Sequence, residues 1–287
     1  MSRIAYVDGR YVPQGQAAVS IEDRALQFGD GVYEVCEIRA GALIDETRHL
    51  ARLQRSLEEL RIRAPLRADA LRFVLREIIR RNRVRDGLAY IQVSRGVARR
   101  DHGFPAAHVG PSLIVSAKSI DPKLNAAHAV KGVRVVTMAD QRWARPDIKS
   151  LQLLPNVMAK QAAREAGAYE AWLIDAKGFV TEGASTNAWI VTKAGALVTR
   201  QADQTILRGV TRMGLLEISQ RLGLRFEERA FTLTEAFAAA EAFLSSATTI
   251  ALPIIAIDGR KIGDGAPGPV AGALRAQFHD HAEISPL

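Results

Sequence analysis

The residue best suited to chemistry in this sequence is Lys149, in the stretch of residues 141–161. Pro146 and Pro155 flank it, and because each proline lacks an N–H and restricts the residue before it, they predict an irregular segment instead of one helix. Burial is predicted by the apolar neighbours Ile148, Leu151, Leu153 and Leu154. Desolvation disfavours the charged form of lysine and leaves the amine available as a nucleophile or base. This setting is typical of a Schiff-base lysine, although most lysines are solvated surface charges.

A second candidate is Glu182, in the turn sequence Val-Thr-Glu-Gly-Ala-Ser of residues 180–185. A carboxylate at such a turn can be an ordinary solvated residue. It can also hold a proton on the ring nitrogen of a heteroaromatic cofactor and keep that ring electron-poor. The second role would suit a chain that also carries an imine-forming lysine.

Two further stretches could bind anions. Gly209 opens a predicted helix, so the N–H groups of Val210 and Thr211 could hold a phosphate, unless this is an ordinary glycine loop with a threonine cap. The loop of residues 95–105 contains three arginines and His102. An arginine beside a histidine can bind a carboxylate through charge-assisted hydrogen bonds, but a solvated basic loop has the same composition. Spacing does not decide which arginine would be used.

The elements that position these residues form a mixed α+β pattern in two lobes. Alternation with a period of two puts Val32, Glu34, Cys36 and Ile38 on one face of a strand. In the first lobe, residues 1–120, the pattern predicts a hairpin at 4–12, helices at 46–62 and 68–83, and strands at 88–95 and 112–118. Residues 121–132 lose strand alternation and are predicted to be an interdomain linker. The second lobe, residues 133–287, is predicted to hold strands at 133–138, 170–174 and 186–192 and helices at 156–166 and 210–222.

Composition excludes several classes of protein. A chain of 287 residues with 48% hydrophobic residues can bury a sizeable core. The single cysteine, Cys36, indicates a reducing compartment, and without an apolar segment near 20 residues we expect a cytoplasmic protein with no membrane partner. The net charge of +8 comes largely from arginines at helical spacing among leucines, without interleaved aromatic residues, so no nucleic-acid partner is expected.

Other catalytic chemistries find little support. The sequence has no Gly-x-Ser-x-Gly, no phosphate-binding P-loop and no Gly-x-Gly-x-x-Gly. Its histidines offer only His279-x-His281 close together, without cysteine or carboxylate partners, so no metal site is predicted.

Seven stretches in this order together resemble the fold type IV pyridoxal-phosphate-dependent aminotransferases, most closely the bacterial D-amino-acid transaminases. They are Glu-Asp-Arg-Ala-Leu-Gln-Phe-Gly-Asp-Gly-Val-Tyr-Glu-Val at 22–35, His-Leu-Ala-Arg-Leu at 49–53, residues 95–105, 142–154, Thr-Glu-Gly-Ala-Ser-Thr-Asn at 181–187, Leu-Arg-Gly-Val-Thr-Arg at 207–212, and 245–249. The resemblance covers almost the whole chain. It implies a small mixed N-terminal lobe, a larger β-rich C-terminal lobe and a cofactor cleft between them.

The resemblance also assigns roles to residues. Lys149 would form the internal aldimine with pyridoxal 5′-phosphate and then shuttle the proton between the substrate α-carbon and the cofactor, and Glu182 would bond the pyridine nitrogen. The phosphate would be held by Arg52, the N–H groups of Val210 and Thr211, and the hydroxyl of Thr248. From helical periodicity alone, Arg52 is a surface charge. Ala247 stands where a hydroxyl residue is common in the family, which would remove about 1 kcal/mol of hydrogen bonding to the phosphate.

Substrate recognition follows from the same resemblance. Tyr33, Arg100 and His102 match the trap for the substrate α-carboxylate, with Arg100 and His102 reaching across from the second subunit of a homodimer. Asp101 adds a negative charge beside this site, and Arg99 offers a competing cation. The implied activity is ping-pong transamination between D-amino acids such as D-alanine and 2-oxo acids such as 2-oxoglutarate. Transamination of branched-chain L-amino acids or (R)-amines, and cleavage of aminodeoxychorismate, are the alternatives within the same fold.

Overall fold

The computed structural model describes residues 3–286, which divide into two compact units. The first unit contains the residues through Pro122, the segment Ile148–Gln152 and the residues from Glu283 on. The second contains Lys123–Asp147 and Leu153–Ala282. This corrects the predicted boundaries, which placed residues 148–152 and 283–286 with the second lobe. Sequence composition does not predict that these two segments belong to the first unit, because their placement depends on long-range strand pairing.

The first unit is a sheet covered by helices. Its strands are β1 Ile4–Val7, β2 Arg10–Pro13, β3 Gly31–Arg39, β4 Ala42–Ile44, β5 Gly87–Ser94, β6 Ser112–Ser119 and, near the end of the chain, Ile284–Ser285. Its helices are α1 Arg24–Phe28, α2 Glu46–Glu59 and α3 Ala68–Asn82, with a 3₁₀ turn at Gln14–Gln16. Within the described residues these strands form one seven-stranded sheet with the order Ile284–Ser285, β4, β3, β5, β6, β1, β2.

The predicted alternation along β3 is confirmed. Val32, Glu34, Cys36 and Ile38 are buried, whereas the residues between them are only partly covered. Leu53 and Leu57 of α2 pack in the same apolar cluster, so the leucines of this helix face the sheet, whereas Arg55 faces solvent. The positions of β3 and α2 decide where the candidate site residues of this unit lie.

The Lys149 segment is a short extended piece beside the start of β3. The N–H of Tyr33 donates to the carbonyl of Lys149 at 3.0 Å, and the N–H of Leu151 donates to the carbonyl of Gly31 at 3.0 Å. Gly31 makes this approach possible, because a Cβ there would lie 2.7 Å from the Leu151 side chain. The predicted irregular segment between the two prolines is therefore present, and strand-type pairing with β3 holds it in place.

The second unit is richer in strands. They are β7 Val133–Ala139, β8 Glu170–Ile174, β9 Phe179–Gly183, β10 Asn187–Val191, β11 Leu197–Thr199, β12 Phe226–Glu228, β13 Phe231–Thr232, β14 Glu241–Ser246, β15 Ile250–Ile257 and β16 Arg260–Lys261; the strand Ile284–Ser285 of the first unit is β17. Its helices are α4 Pro122–Lys131, α5 Leu154–Glu165, α6 Val210–Arg221, α7 Leu233–Ala238 and α8 Pro269–His281. In the described residues, the sheet has the order β12, β11, β10, β14, β15, β7, β8, β9, β13, with β16 paired to β15. Trp172, Phe231 and Leu244 lie in its main apolar cluster.

The structure corrects two sequence predictions in this region. Residues 122–131 form the helix α4 instead of an irregular linker, because proline suits the first turn of a helix and the alanines, lysines and leucine that follow favour helix. Leu154, predicted to be buried, is 70% exposed at the start of α5. The mixed α+β class is confirmed. None of the helices in residues 3–286 has the length and hydropathy that a membrane span requires.

Candidate active site residues in the two units

Lys149 presents its amine to the aromatic ring of Tyr33. Its Nζ lies 4.2 Å from the ring centroid, and its backbone N–H points to the hydroxyl of Ser56 at 3.4 Å. The side chain of Lys149 is only partly buried, so it is less desolvated than its apolar neighbours in the sequence predicted. The face of an aromatic ring attracts a cation. Lys149 is therefore held with its amine against the face of the Tyr33 ring.

Arg52 belongs to a buried charged cluster with Glu34 and His49. Its Nε donates to one carboxylate oxygen of Glu34 at 2.9 Å and its Nη2 to the other at 2.5 Å, while His49 Nδ1 lies 3.0 Å from the second oxygen. Burial alone would raise the pKa of Glu34, but the charges of Arg52 and His49 outweigh burial and hold that pKa far below its ordinary range. Helical periodicity made Arg52 a surface charge, and this is wrong, because only 12% of its side chain is exposed.

The loop after β5 carries Arg100 and His102, and both are exposed. The guanidinium carbon of Arg100 lies 4.8 Å from the ring centroid of Phe28, and the ring of His102 lies 5.4 Å from the same centroid. Asp101, between them, also has a structural role. Its carboxylate accepts a hydrogen bond from the N–H of Gly103 at 3.0 Å and closes a local turn.

In the second unit, Glu182 lies at the end of β9 with donors on both carboxylate oxygens. Asn187 Nδ2 donates to Oε2 at 2.9 Å, the N–H of Leu207 donates to Oε1 at 3.1 Å, and Nη1 of Arg142 donates to Oε1 at short range. Burial raises the pKa of Glu182 above its ordinary value, and Arg142 opposes that rise. The side chain is 5% exposed. Glu182 is thus an oriented, buried acceptor, not the solvated turn residue that its sequence also allowed.

Arg142 joins Glu182 to a second carboxylate. Its Nε and Nη2 donate to the two oxygens of Asp140 at 2.9 and 2.7 Å, and the hydroxyl of Thr181 donates to Asp140 at 2.8 Å. Burial alone would lower the pKa of Arg142, but its bonds to Asp140 and the charge of Glu182 raise it. One guanidinium therefore bridges two carboxylates that are nearly excluded from solvent.

Two features of the second unit present hydrogen-bond donors suited to a phosphate. Helix α6 begins after Gly209, and among the described residues no side chain caps it, so the N–H groups of Val210 and Thr211 in its first turn point out of the helix. The turn between β14 and β15 contributes hydroxyl groups, with Ser246 Oγ lying 2.9 Å from Thr248 Oγ1 and 3.0 Å from Thr249 Oγ1. The Ser246 hydroxyl adjoins Ala247, where the sequence lacks the expected hydroxyl.

The chemistry of these donors fits the predicted cofactor. An uncapped helix N-terminus and hydroxyl groups suit a phosphate monoester, a buried carboxylate suits a protonated ring nitrogen, and a primary amine suits an aldehyde. A Cβ on Gly209 would overlap the Oδ1 of Asn187, so glycine is required where the chain turns into α6. Within residues 3–286, no group of three or more histidine, cysteine or acidic side chains could hold a metal ion.

Sequence reasoning missed the residues that support the candidates. Glu34, Arg142 and Asn187 were each part of a quoted stretch, but none was assigned a role. A signal did exist for Arg142, because Asp140 lies two residues before it and residues two apart in an extended chain face the same side. No local pattern connects Glu34 with Arg52 or Asn187 with Glu182.

Comparisons with known proteins agree with this chemistry. The family model described as Amino-transferase class IV matches residues 31–257. The chain is 43% identical to a D-alanine aminotransferase of Bacillus licheniformis, over 92% of this chain and 91% of that protein. It is 38% identical to a D-alanine aminotransferase of Staphylococcus haemolyticus, over 97% of each. Its fold matches a T.th. branched-chain amino acid aminotransferase solved with pyridoxamine 5′-phosphate, with a TM-score of 0.89, 27% identity and coverage of 98% of this chain and 94% of that one.

Proposed function

Because the chain belongs to the class IV aminotransferase family, we propose that it transfers the amino group of D-amino acids, such as D-alanine, to 2-oxo acids, such as 2-oxoglutarate. The relatives named D-alanine aminotransferase support this substrate class. The observation that carries the proposal is the accessible amine of Lys149, 4.2 Å from the Tyr33 ring, in a segment held by β3. The two half-reactions follow one another, so each product leaves before the next substrate binds.

The cofactor of this reaction is pyridoxal 5′-phosphate, which when bound withdraws electrons from the α-carbon of the amino acid and stores the amino group between the half-reactions. Lys149 would hold its aldehyde carbon and Glu182 its ring nitrogen. Its phosphate would be bound by Arg52, by the N–H groups of Val210 and Thr211, and by the hydroxyl of Thr248.

Two residues of the chain, Lys149 and Glu182, move or hold protons in this reaction. The Lys149 amine, once free, takes the proton from the substrate α-carbon as a general base and returns it as an acid. The face of the Tyr33 ring lies 4.2 Å from this amine and orients it. Glu182 acts by accepting a hydrogen bond from a protonated ring nitrogen, and it can do so only as a carboxylate. The adjacent Arg142 favours that form, because it opposes the rise that burial causes in the pKa of Glu182.

We place the α-carboxylate of the substrate with Tyr33, Arg100 and His102, the last two contributed by the partner subunit of a homodimer. Support comes from large apolar side chains in and before this loop, since Ile21, Leu26 and Phe104 are 82%, 65% and 54% exposed. Large apolar side chains exposed together are typical of an interface. Sedimentation of the wild-type protein should give the mass of a dimer, and Ile21→Glu should shift it toward the monomer.

An absorbance spectrum tests the proposed activity directly. Purified protein should show the absorbance band of lysine-bound cofactor, and D-alanine should convert it while L-alanine leaves it unchanged. Lys149→Ala should abolish turnover. Lys160→Ala is the matched control, because Lys160 also lies against a tyrosine ring, with Nζ 5.2 Å from Tyr169, and should retain activity. A colourless wild-type protein, or full turnover by Lys149→Ala, would contradict the proposal.

A second candidate activity rests on the fold. The solved structure that matches with a TM-score of 0.89 is a branched-chain amino acid aminotransferase, which keeps L-leucine as a donor to be tested. Comparing half-reactions with D-alanine, L-leucine and (R)-1-phenylethylamine distinguishes these specificities. Release of pyruvate from aminodeoxychorismate without an amino acceptor would instead indicate a lyase. The free, buried thiol of Cys36 suits the cytoplasm, where we propose that the protein acts.

A further inference from the structure

A buried arginine, Arg24, connects the body of the first unit to the loop that carries Arg100 and His102. It is 3% exposed, and it opens the short helix α1. Its Nε donates to Asp30 Oδ2 at 2.7 Å, and its Nη1 donates to the carbonyl of Asp101 at 2.7 Å. The second bond falls on the residue between Arg100 and His102.

Phe28 provides a second connection to the same loop. The guanidinium carbon of Arg24 lies 4.7 Å from its ring centroid, that of Arg100 lies 4.8 Å away, and the ring of His102 lies 5.4 Å away with an interplanar angle of 50°. Contact with an aromatic ring restricts the rotamers of a long arginine side chain and is favourable for a cation. Both proposed carboxylate-binding side chains therefore touch one ring, whose position is set by the same helix as Arg24.

The other end of Arg24 is firmly held. Asp30, its partner, also accepts two bonds from Arg95, whose Nε lies 2.8 Å from Oδ2 and whose Nη2 lies 2.9 Å from Oδ1. Burial alone would raise the pKa of Asp30, but the bonds from Arg95 and Arg24 outweigh burial and lower it, so Asp30 stays charged. Arg24 thus connects a firmly held carboxylate to a loop whose residues 99–104 are exposed.

Backbone hydrogen bonds hold the first part of that loop. The N–H of Arg24 donates to the carbonyl of Gly96 at 3.0 Å, and the N–H of Ala98 donates to the carbonyl of Glu22 at 3.2 Å. Beyond Ala98 the contact with α1 passes through the side chains of Arg24 and Phe28. A loop that is ordered before it binds loses less entropy on binding, which increases affinity.

We propose that Arg24, supported by Phe28, is a positioning residue that holds the loop ready for the substrate α-carboxylate and so favours amino acids over donors without a carboxylate. This inference rests on the proposed function, since it takes Arg100 and His102 as the groups that bind the carboxylate. Arg24 itself need not touch the substrate. Its effect on the reaction passes through the carbonyl of Asp101 and the ring of Phe28.

The test uses Arg24→Met, which keeps the volume of the side chain and removes both bonds, in the cofactor-loaded enzyme. We expect the KM for D-alanine and the inhibition constant of propionate, a carboxylate without an amine, to rise roughly tenfold, the effect of one charge-assisted hydrogen bond. The kcat should change less than about twofold, because the groups that react are untouched. Hydrogen exchange of the cofactor-free protein should be faster at residues 99–104.

Two other variants show whether a rise in KM comes from the lost contacts of Arg24 or from a general loss of stability. Arg24→Lys retains a cation for Asp30 but cannot form the same fork, so it should fold and show the same rise in KM. Arg76→Met removes another two-bond arginine pair of this unit, to Glu46, and should leave the KM unchanged.

The results separate a failure of this inference from a failure of the proposed function. An unchanged KM in folded Arg24→Met and Arg24→Lys, or a fall in kcat without a rise in KM and in the propionate constant, would overturn the inference while leaving the proposed function intact. A wild-type enzyme that does not react with D-alanine would overturn the proposed function, and this inference with it.

Discussion

Replacing Arg142 with methionine should lower the unfolding free energy by an amount that follows from its buried ion pairs in the second unit. The side chain of Arg142 is 7% exposed, and it bridges Glu182 and Asp140, which are 5% and 12% exposed. Removing one partner of a buried ion pair typically costs about 3–5 kcal/mol, because the remaining charge has no compensation. Here two carboxylates lose the same guanidinium. We therefore expect Arg142→Met to lose about 3–5 kcal/mol of unfolding free energy at pH 7.

The loss should depend on pH in a defined direction. Glu182 has a raised folded-state pKa, so its burial as a carboxylate costs stability above that pKa, and without Arg142 the pKa rises further. The cost disappears as the pH falls toward the ordinary value of 4.5. Asp140 has a lowered pKa in the folded wild type, and it contributes stability above its ordinary value of 3.8 that is lost in acid. Between pH 7 and 4 it is therefore the Glu182 effect that narrows the gap in unfolding free energy between wild type and variant, whereas the Asp140 contribution is lost only below pH 3.8.

Urea unfolding of the cofactor-free protein, followed by tryptophan fluorescence, measures this gap. The three tryptophans, at 143, 172 and 189, all belong to the second unit, so the signal reports on the unit that contains the change. Arg225→Met is the control, because Arg225 is 74% exposed and its pair with Glu227 should contribute less than about 1 kcal/mol. Arg142→Met/Glu182→Gln should recover part of the loss. A cost below about 1 kcal/mol at pH 7, or a gap that does not narrow in acid, would refute the reasoning.

Two further predictions concern other buried contacts. Glu34→Ala should lose about 3–5 kcal/mol of unfolding free energy in urea titrations followed by circular dichroism, because it removes the carboxylate from the buried guanidinium of Arg52; a loss near zero would mean that solvent replaces the pair. Gly209→Ala should weaken the affinity of the cofactor-free protein for pyridoxal phosphate at least about tenfold, since its Cβ would overlap Asn187 Oδ1. Gly272→Ala, with open space at that position, should bind as wild type does, and equal affinities in both variants would contradict the second prediction.

Much of the local structure could be predicted because its causes are local. The alternation of β3 and the leucines of α2 follow from periods of 2 and about 3.6 residues, and both match the buried faces. Pro155 marked the start of α5 within two residues. The prediction failed for α4, where the loss of strand alternation was taken as irregular chain although the residues favour helix.

The candidate site residues also divide into those that the sequence indicated and those whose contacts only the structure shows. Lys149 and Glu182 could be selected because their residue types and neighbours indicate chemistry. Arg100 was selected only through the resemblance to the family, which the order of the motifs predicted. The contacts that surround these candidate residues could not be predicted from spacing. Arg52 lies 18 residues from Glu34, and Arg24 lies 77 residues from the carbonyl that it holds.

The sequence by itself determined the family and indicated the candidate amine, the candidate carboxylate and the helix start proposed for a phosphate, because these depend on residue type and short-range order. Only the tertiary structure decided that Lys149 meets the ring of Tyr33, that Arg142 bridges Asp140 and Glu182, and that a short stretch near residue 150 pairs with β3. The physical reason is that burial and charge pairing depend on distances in space. Those distances are set when strands far apart in the chain form one sheet.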